Sequence, residues 1–158
     1  MNSHVMTDRT KKKETTVVQK YGGSSLADEV KIKAVAEKIK KALNNFGKLV
    51  VVVSANGNTT NQLIQQAKKI NPKPLARELD MLVSTGEQVS ASLLTMALHG
   101  IGIKALSVNA YQLGIETDRV YTEARIQKIN RQRLIAFLQK HDVLVVTGFQ
   151  GITGDNEI

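Results

Sequence analysis

Short apolar runs alternate along the chain with stretches in which apolar residues recur every three or four positions. The runs at 17–21, 49–53 and 143–147 have the length and the branched side chains of strands, and 103–108 and 124–129 are further candidates. Unbroken apolar character, as at 49–53 and 143–147, is typical of strands that are buried on both faces. These runs predict a central sheet.

Helical spacing of apolar residues fills the intervals between the runs. It predicts helices over 32–46, about 59–69 and 131–140. Strands that alternate with helices favour a mainly parallel sheet with helices on both faces. We therefore expect an α/β fold of the three-layer α/β/α sandwich type.

Two further helical segments, 75–83 and 87–98, are predicted to meet at a kink or break at 84–86, where a glycine follows two hydroxyl residues. The second segment carries an apolar stripe that we expect to be buried, formed by Val89, Leu93, Met96 and Ala97.

Composition and length bound the class of protein. The 158 residues suit one domain, which we place at 17–158, after a polar, aperiodic segment 1–16 that we expect to be a disordered leader. The absence of cysteine excludes disulfides, cysteine zinc sites and a cysteine nucleophile. No apolar run approaches the roughly 20 residues that cross a bilayer, and no signal peptide is visible, so we expect a cytoplasmic protein with no membrane partner.

The net charge of +8 raises the question of a nucleic-acid partner. The basic residues are spread along the chain, and three Phe and three Tyr offer few surfaces for stacking bases, so we expect no nucleic-acid binding. The histidines at 4, 99 and 141 lack the spacing of metal ligands, and we predict no metal site in the protein itself.

Three polar turns follow strand candidates, and parallel sheets bind ligands at such strand ends. In the first turn, Gly22 and Gly23 could bring backbone N–H groups close to a phosphate, with Lys20 just before them. Alternatively, the glycines only make a tight turn, Ser25 caps the next helix together with Asp28, and Lys20 is solvated. The sequence contains neither a G-x-x-x-x-G-K-[ST] nor a G-x-G-x-x-G fingerprint.

The second turn, 54–58, is also polar. Thr59 and Gln62 match a capping box, which explains part of this composition. The remaining hydroxyl and amide side chains exceed what one cap needs and favour a polar ligand; they are Ser54, Asn56, Asn58, Thr60 and Asn61.

Glu87 and the third turn, 148–151, each have two interpretations. Glu87 completes a Ser-x-x-Glu capping box with Ser84, or it binds a substrate ammonium group. Gly148 and Gly151 allow a close backbone approach, or they belong to a plain surface turn.

Four segments, in this order, resemble the aspartokinase branch of the amino acid kinase family. They are V-Q-K-Y-G-G-S-S at 18–25, V-V-V-S-A-N-G at 51–57 followed by T-T-N at 59–61, S-T-G-E-Q-V-S at 84–90, and V-T-G-F-Q-G at 146–151. The resemblance covers about 17–158. It departs from the family pattern in two places, where Ser24 replaces the usual Thr and Asn56 stands where Met is common.

The resemblance implies phosphoryl transfer from MgATP to the β-carboxylate of L-aspartate, the first step of lysine, threonine and methionine synthesis. It implies that Lys20 is catalytic and stabilises the transferred phosphoryl group. It assigns to the ATP phosphates Lys20, Gly22, Gly23, Ser24, Ser25 and Ser54. It assigns to aspartate Ala55, Thr60, Glu87, Gly148 and Phe149, with Glu87 at the α-ammonium. Mg²⁺ would be held by the nucleotide phosphates.

Members of this family continue with an Arg-Gly-Gly-Ser-Asp segment and a nucleotide-binding half. We therefore expect the chain to be a truncated, N-terminal portion of the kinase domain, poorly active alone. An uncovered half-sheet should self-associate or be marginally stable, so we expect a homo-oligomer or association with the missing C-terminal half. The alternative function is a non-catalytic binding or assembly module that retains half of the fold.

Overall fold

The computed structural model describes residues 15–158, and the predicted leader lies outside this range except for its last two residues. The strands are β1 (Thr16–Tyr21), β2 (Lys48–Val53), β3 (Ala105–Val108), β4 (Ile115–Thr117), β5 (Ile126–Ile129) and β6 (Val143–Thr147). The helices are α1 (Glu29–Asn45), α2 (Thr59–Ile70), α3 (Ala76–Gly100), α4 (Ala110–Leu113) and α5 (Arg131–Lys140). Thr16 pairs with Lys48 in the sheet, so the leader as predicted runs one residue too far.

The main sheet has four parallel strands in the order β1-β2-β6-β3. One face of β2, with Leu49, Val51 and Val53, packs against α1 and α3. The other face, with Val50, packs with β6 residues against α4 and α5. Alternate residues of one strand thus enter two cores, which is the three-layer α/β/α sandwich expected from the sequence.

Strands β4 and β5 form a separate antiparallel pair outside the main sheet. A single parallel bridge between Glu116 and Ile152 joins this hairpin to the segment after β6. The β4–β5 hairpin therefore lies beside the carboxyl end of β6.

Helix α3 contradicts two predictions. It runs unbroken over 25 residues, so there is no interruption at 84–86. Three of the four residues of the predicted buried stripe face outward, with Val89 53% and Met96 65% exposed and Leu93 also exposed, whereas Ala97 is partly buried and packs against the core. The face that turns inward mixes apolar with small and polar residues, among them Ser84, Glu87 and Ser90, and apolar periodicity could not identify it. No helix of the described range is long and apolar enough to span a membrane.

Candidate active site

The three polar turns lie side by side at one edge of the sheet. The last residues of β1, β2 and β6 are in register, Tyr21 with Val53 and Val53 with Thr147. The Ser54 N–H donates to the Tyr21 carbonyl at 3.1 Å, and the Gly148 N–H donates to the Val53 carbonyl at 2.8 Å. Because all three strands are parallel, their carboxyl ends bring the turns into one neighbourhood.

The first and second turns are in direct contact. The Gly57 N–H donates to the Gly23 carbonyl at 2.9 Å. A Cβ on Gly23 would lie 2.5 Å from the Ala55 carbonyl oxygen, so a side chain at this position is incompatible with the observed approach. Gly23 therefore has a packing reason to be glycine, independent of any ligand.

Because the obstacle at Gly23 is a backbone atom, we expect Gly23→Ala to displace the second turn and to lower the free energy of unfolding by about 1–3 kcal/mol. Gly22→Ala is the matched control, since a Cβ there meets nothing within 4 Å and its φ of −77° suits any residue. Urea unfolding of the two variants checks this prediction. Equal stability of both would mean that the turns are not held as closely as described.

Helix capping does not explain the serines of the first turn. Asp28 precedes α1 and accepts from the Lys31 N–H at 2.8 Å, so Asp28, not Ser25, caps this helix. Gly22, Ser24 and Ser25 are exposed at the edge of the sheet. The capping interpretation of Ser25 is wrong, and its side chain faces solvent at the site.

Lys20 lies at the same edge but on the opposite face of the sheet from α3. It pairs with Val52, whose side chain packs on the α4 and α5 side, whereas Tyr21 packs on the α1 and α3 side. The Lys20 side chain is exposed, and no carboxylate within the described range pairs with it. The structure thus brings Lys20 to the strand ends, on the face of the sheet away from α3.

The capping explanation at the second turn also fails, although most of the polar side chains there have partners. Asn58 precedes α2 without a side-chain capping bond, and instead accepts from the Asn61 amide at 2.6 Å. The Asn56 amide contacts the Ser90 hydroxyl. Most of the polar side chains that favoured a ligand therefore bond to other groups of the protein instead. Ser54 and Thr60 are half-buried at the site.

Glu87 is the buried ionisable group at this edge. It is 3% exposed in the middle of α3, and its Oε1 accepts from the Ala55 N–H at 3.2 Å. Its other oxygen, Oε2, is buried and has no hydrogen-bond partner within the described residues. Because Glu87 lies inside the helix, the capping box with Ser84 is wrong. A buried carboxylate oxygen without a donor is costly, and a ligand that supplies one is favoured.

Gly86 explains how α3 approaches so closely. A Cβ at this position would lie 2.9 Å from the Ala55 Cβ and 3.5 Å from the Thr59 Cγ2. The glycine that suggested a break thus serves a close contact between α3 and the second turn, which places Glu87 against the Ala55 amide.

Burial raises the pKa of Glu87 above its ordinary value, and the hydrogen bond from the Ala55 N–H partly opposes this. Between the ordinary and the raised pKa, the folded protein retains a proton that the unfolded chain has lost. We therefore expect stability to fall as pH rises through that interval, and Glu87→Gln to reduce the fall. Thermal unfolding over about pH 4 to 8 measures this. An identical pH dependence in the variant would contradict the raised pKa.

The third turn is tied to α3 by a residue that was not among the site candidates. Gln150 accepts from the Thr147 hydroxyl at 2.9 Å and donates to the Ser84 carbonyl at 2.6 Å, one turn before Glu87. A Cβ on Gly148 would lie 2.7 Å from the Val53 carbonyl oxygen, and Phe149 has a φ of +54°. These constraints contradict a plain surface turn.

A cavity of about 200 Å³ opens between the third turn and the β4–β5 hairpin. Phe149 and Gln150 line it on one side, and Asp118 and Tyr121 on the other. The hairpin is joined to α3 by a hydrogen bond from the Thr122 N–H to Asp80 at 2.7 Å. Nothing in the local sequence signalled that the hairpin borders the site, because its strands pair outside the main sheet.

Comparisons with known proteins show the family and the fold of the chain. The model of the amino acid kinase family matches residues 15–158. The aspartokinase of Thermus thermophilus is 47% identical over 142 residues, which are 90% of this chain and 35% of that protein. The aspartate kinase of Pseudomonas putida is 48% identical over 136 residues, 86% of this chain and 33% of that protein. The chain thus spans about a third of the length of these curated relatives.

Solved structures support the same fold. The aspartate kinase from Synechocystis superposes with a TM-score of 0.76 at 41% identity, covering 91% of this chain and 23% of that one. Aspartokinase III of E. coli, in complex with aspartate and ADP, superposes with a TM-score of 0.79 at 18% identity, covering 90% of this chain and 42% of that one. With the match to the family model over the whole described range, the chain belongs to the amino acid kinase family.

Proposed function

We propose that this chain provides the amino-acid-binding and phosphate-binding turns of a cytoplasmic aspartate kinase. The reaction is transfer of the γ-phosphoryl group of ATP to the β-carboxylate of L-aspartate, which gives 4-phospho-L-aspartate and ADP and begins lysine, threonine and methionine synthesis. The observation that carries the proposal is the Oε2 of Glu87, which is buried beside the second turn and has no hydrogen-bond partner among residues 15–158. Relatives named aspartokinase and a related structure holding aspartate and ADP support it.

Glu87 would bind the α-ammonium group of aspartate. An ammonium supplies both the hydrogen-bond donor that Oε2 lacks and the positive charge that stabilises a buried carboxylate. The neighbouring groups would enclose the rest of the amino acid; they are Ala55, Thr60, Gly148 and Phe149. Phe149 is 72% exposed, so its backbone rather than a packed ring is available to a ligand.

The first turn would hold the ATP phosphates. Gly22, Ser24 and Ser25 are exposed where the chain enters a short 3-10 helix, so the Ser24 and Ser25 hydroxyls are available as donors, whereas the Ser25 N–H already donates to the Gly22 carbonyl at 3.0 Å. Gly23 and Ser54 would complete the phosphate site. Lys20 would act on the transferred group from the end of β1. Its side chain is exposed and forms no ion pair within residues 15–158, so it can turn towards a bound nucleotide at a cost in side-chain entropy.

In the reaction, a β-carboxylate oxygen of aspartate attacks the γ-phosphorus. The bond from that phosphorus to the β–γ bridging oxygen breaks, and ADP leaves with the electron pair. Such a transfer depends on alignment and on neutralisation of charge on the phosphoryl oxygens, which is the role proposed for Lys20.

Mg²⁺ would enter with the nucleotide. The described residues contain no group of three or more His, Asp or Glu side chains that could hold a metal ion, and the turns at the site offer mainly hydroxyl, amide and backbone donors. We therefore assign no ligand of this chain to the ion and no step to it. ATP phosphates are its natural ligands.

A hybrid enzyme tests the proposal. In the hybrid, the 142 aligned residues of the Thermus thermophilus aspartokinase are replaced by the matching part of this chain. We expect aspartate-dependent formation of ADP and of an acyl phosphate, trapped as its hydroxamate, with glutamate and asparagine as poor substrates. A folded hybrid that binds ATP but phosphorylates no aspartate would contradict the proposal.

One observation favours the second candidate, a non-catalytic assembly module. The outward face of α3 exposes Val89, Leu93 and Met96, and β1 exposes Val18 at the edge of the sheet. Such apolar surface suits contact with another copy or with the remaining part of a longer protein. Light scattering of the purified chain would detect self-association, and an oligomer that binds neither aspartate nor ATP would favour the module.

A further inference from the structure

Hydrogen bonds hold the second turn on both sides of the Ala55 N–H, the group that donates to Glu87. Upstream, the Ser54 N–H donates to the Tyr21 carbonyl at 3.1 Å. Downstream, the Asn56 amide contacts the hydroxyl of Ser90, a residue of α3 that is completely buried. Ala55 lies between these anchors, and its N–H points to the Glu87 Oε1 at 3.2 Å.

The downstream anchor does not depend on which end of the amide faces Ser90. A hydroxyl can donate to the Asn56 oxygen, or accept from its NH₂ group while donating to the Gly86 carbonyl, which lies 3.2 Å from the Ser90 Oγ. In both arrangements, α3 and the second turn are joined one helical turn beyond Glu87.

We propose that Asn56 and Ser90 form a positioning pair that fixes the Ala55 amide and, through it, the orientation of the Glu87 carboxylate towards the substrate ammonium group. The functional part of this inference rests on the proposed function. Neither residue touches the substrate in the proposal; both act through Ala55. Among the described residues, the Ala55 N–H is the only backbone donor to Oε1 from another residue, so rotation of the Ala55 peptide would remove it and the carboxylate could then turn away from the ligand.

A double-mutant cycle tests the pair on the 158-residue chain. Asn56→Leu keeps the approximate shape of the side chain without its polar atoms, and Ser90→Ala removes the hydroxyl. We expect each to speed hydrogen exchange of the Ala55 amide and to weaken L-aspartate binding roughly 3- to 10-fold in an NMR titration. The double variant should be no worse than the single ones, because either change removes the same contact.

Thr95→Val is the matched control on the same helix. The Thr95 hydroxyl is buried but has no hydrogen-bond partner among the described residues, so its removal should change neither Ala55 exchange nor aspartate affinity. In the hybrid enzyme, the two pair variants should raise KM for aspartate while kcat and KM for ATP stay near the parent values. A merely structural defect would lower kcat and raise KM for both substrates.

The outcomes separate the two proposals. If the parent chain and the hybrid bind no aspartate, the proposed function is wrong, whereas faster Ala55 exchange in the variants would still establish the pair. If the parent binds aspartate and both variants keep its affinity and its Ala55 exchange rate, the positioning pair is wrong and the proposed function stands. Additive effects in the double variant would also overturn the pair.

Discussion

Glu87→Gln should weaken L-aspartate binding by at least about 30-fold, the equivalent of about 2 kcal/mol, while the chain stays folded. The amide retains an oxygen for the Ala55 N–H but loses the negative charge that would meet the ammonium group. Burial already disfavours the charged carboxylate, so the uncharged variant should be as stable as the parent at neutral pH, or more stable. KM for aspartate in the hybrid enzyme and thermal unfolding of the chain measure the two effects.

Glu78→Gln is the control for this change. Glu78 lies in the first turn of the same helix, where its exposed carboxylate pairs with Arg77 at 2.8 Å. Surface pairs of this kind contribute little, so the control should retain aspartate binding. If Glu87→Gln and Glu78→Gln have the same KM for aspartate, Glu87 is not the ammonium site.

Lys20→Ala should lower kcat of the hybrid enzyme by about 10²- to 10³-fold and leave KM for aspartate nearly unchanged. The lysine is proposed to act on charge that develops on the transferred phosphoryl group, so its loss affects the transition state more than the bound amino acid. The stability of the chain should not change, because the side chain is exposed and makes no ion pair with any residue of the described range. Initial rates at saturating ATP give kcat.

Lys40→Ala is the corresponding control, since this exposed lysine lies towards the C-terminal end of α1, the end of the helix opposite to the first turn. It should keep full activity. A Lys20→Ala enzyme as active as this control would exclude Lys20 from catalysis. This result is a real possibility to test, because Lys20 lies on the face of the sheet opposite to α3.

The strands and helices with strong local patterns were predicted almost to the residue. The runs at β2 and β6 and the helix α5 lie where periodicity placed them. The weaker strands are shorter than predicted and begin at Ala105 and Ile126, because only their ends pair with neighbours. Periodicity is a property of neighbours along the chain, and it succeeds where burial follows from that spacing alone.

Helix α3 shows where such reasoning fails. A capping signature and a glycine at 84–86 predicted a boundary, and an apolar stripe predicted the buried face. Gly86 instead lies inside the helix, where its lack of a Cβ permits the contact with the second turn, and Val89, Leu93 and Met96 face outward because Glu87 and Ser90 face the turns. Both outcomes depend on what packs against the helix, which its own sequence does not specify.

The candidate site also combines features that the sequence predicts with contacts that only the tertiary structure decides. The order of strands and turns in the amino-acid sequence was enough to predict that polar turns would meet at the carboxyl edge of a parallel sheet, because strand direction and chain order are linked in such folds. The contacts that give the site its chemistry join residues far apart in the chain: Glu87 to Ala55 across 32 positions, Ser90 to Asn56 across 34 and Gln150 to Ser84 across 66. These contacts could not be predicted from the sequence, because the burial of the side chains and the geometry of their partners arise only when α3 packs on the sheet.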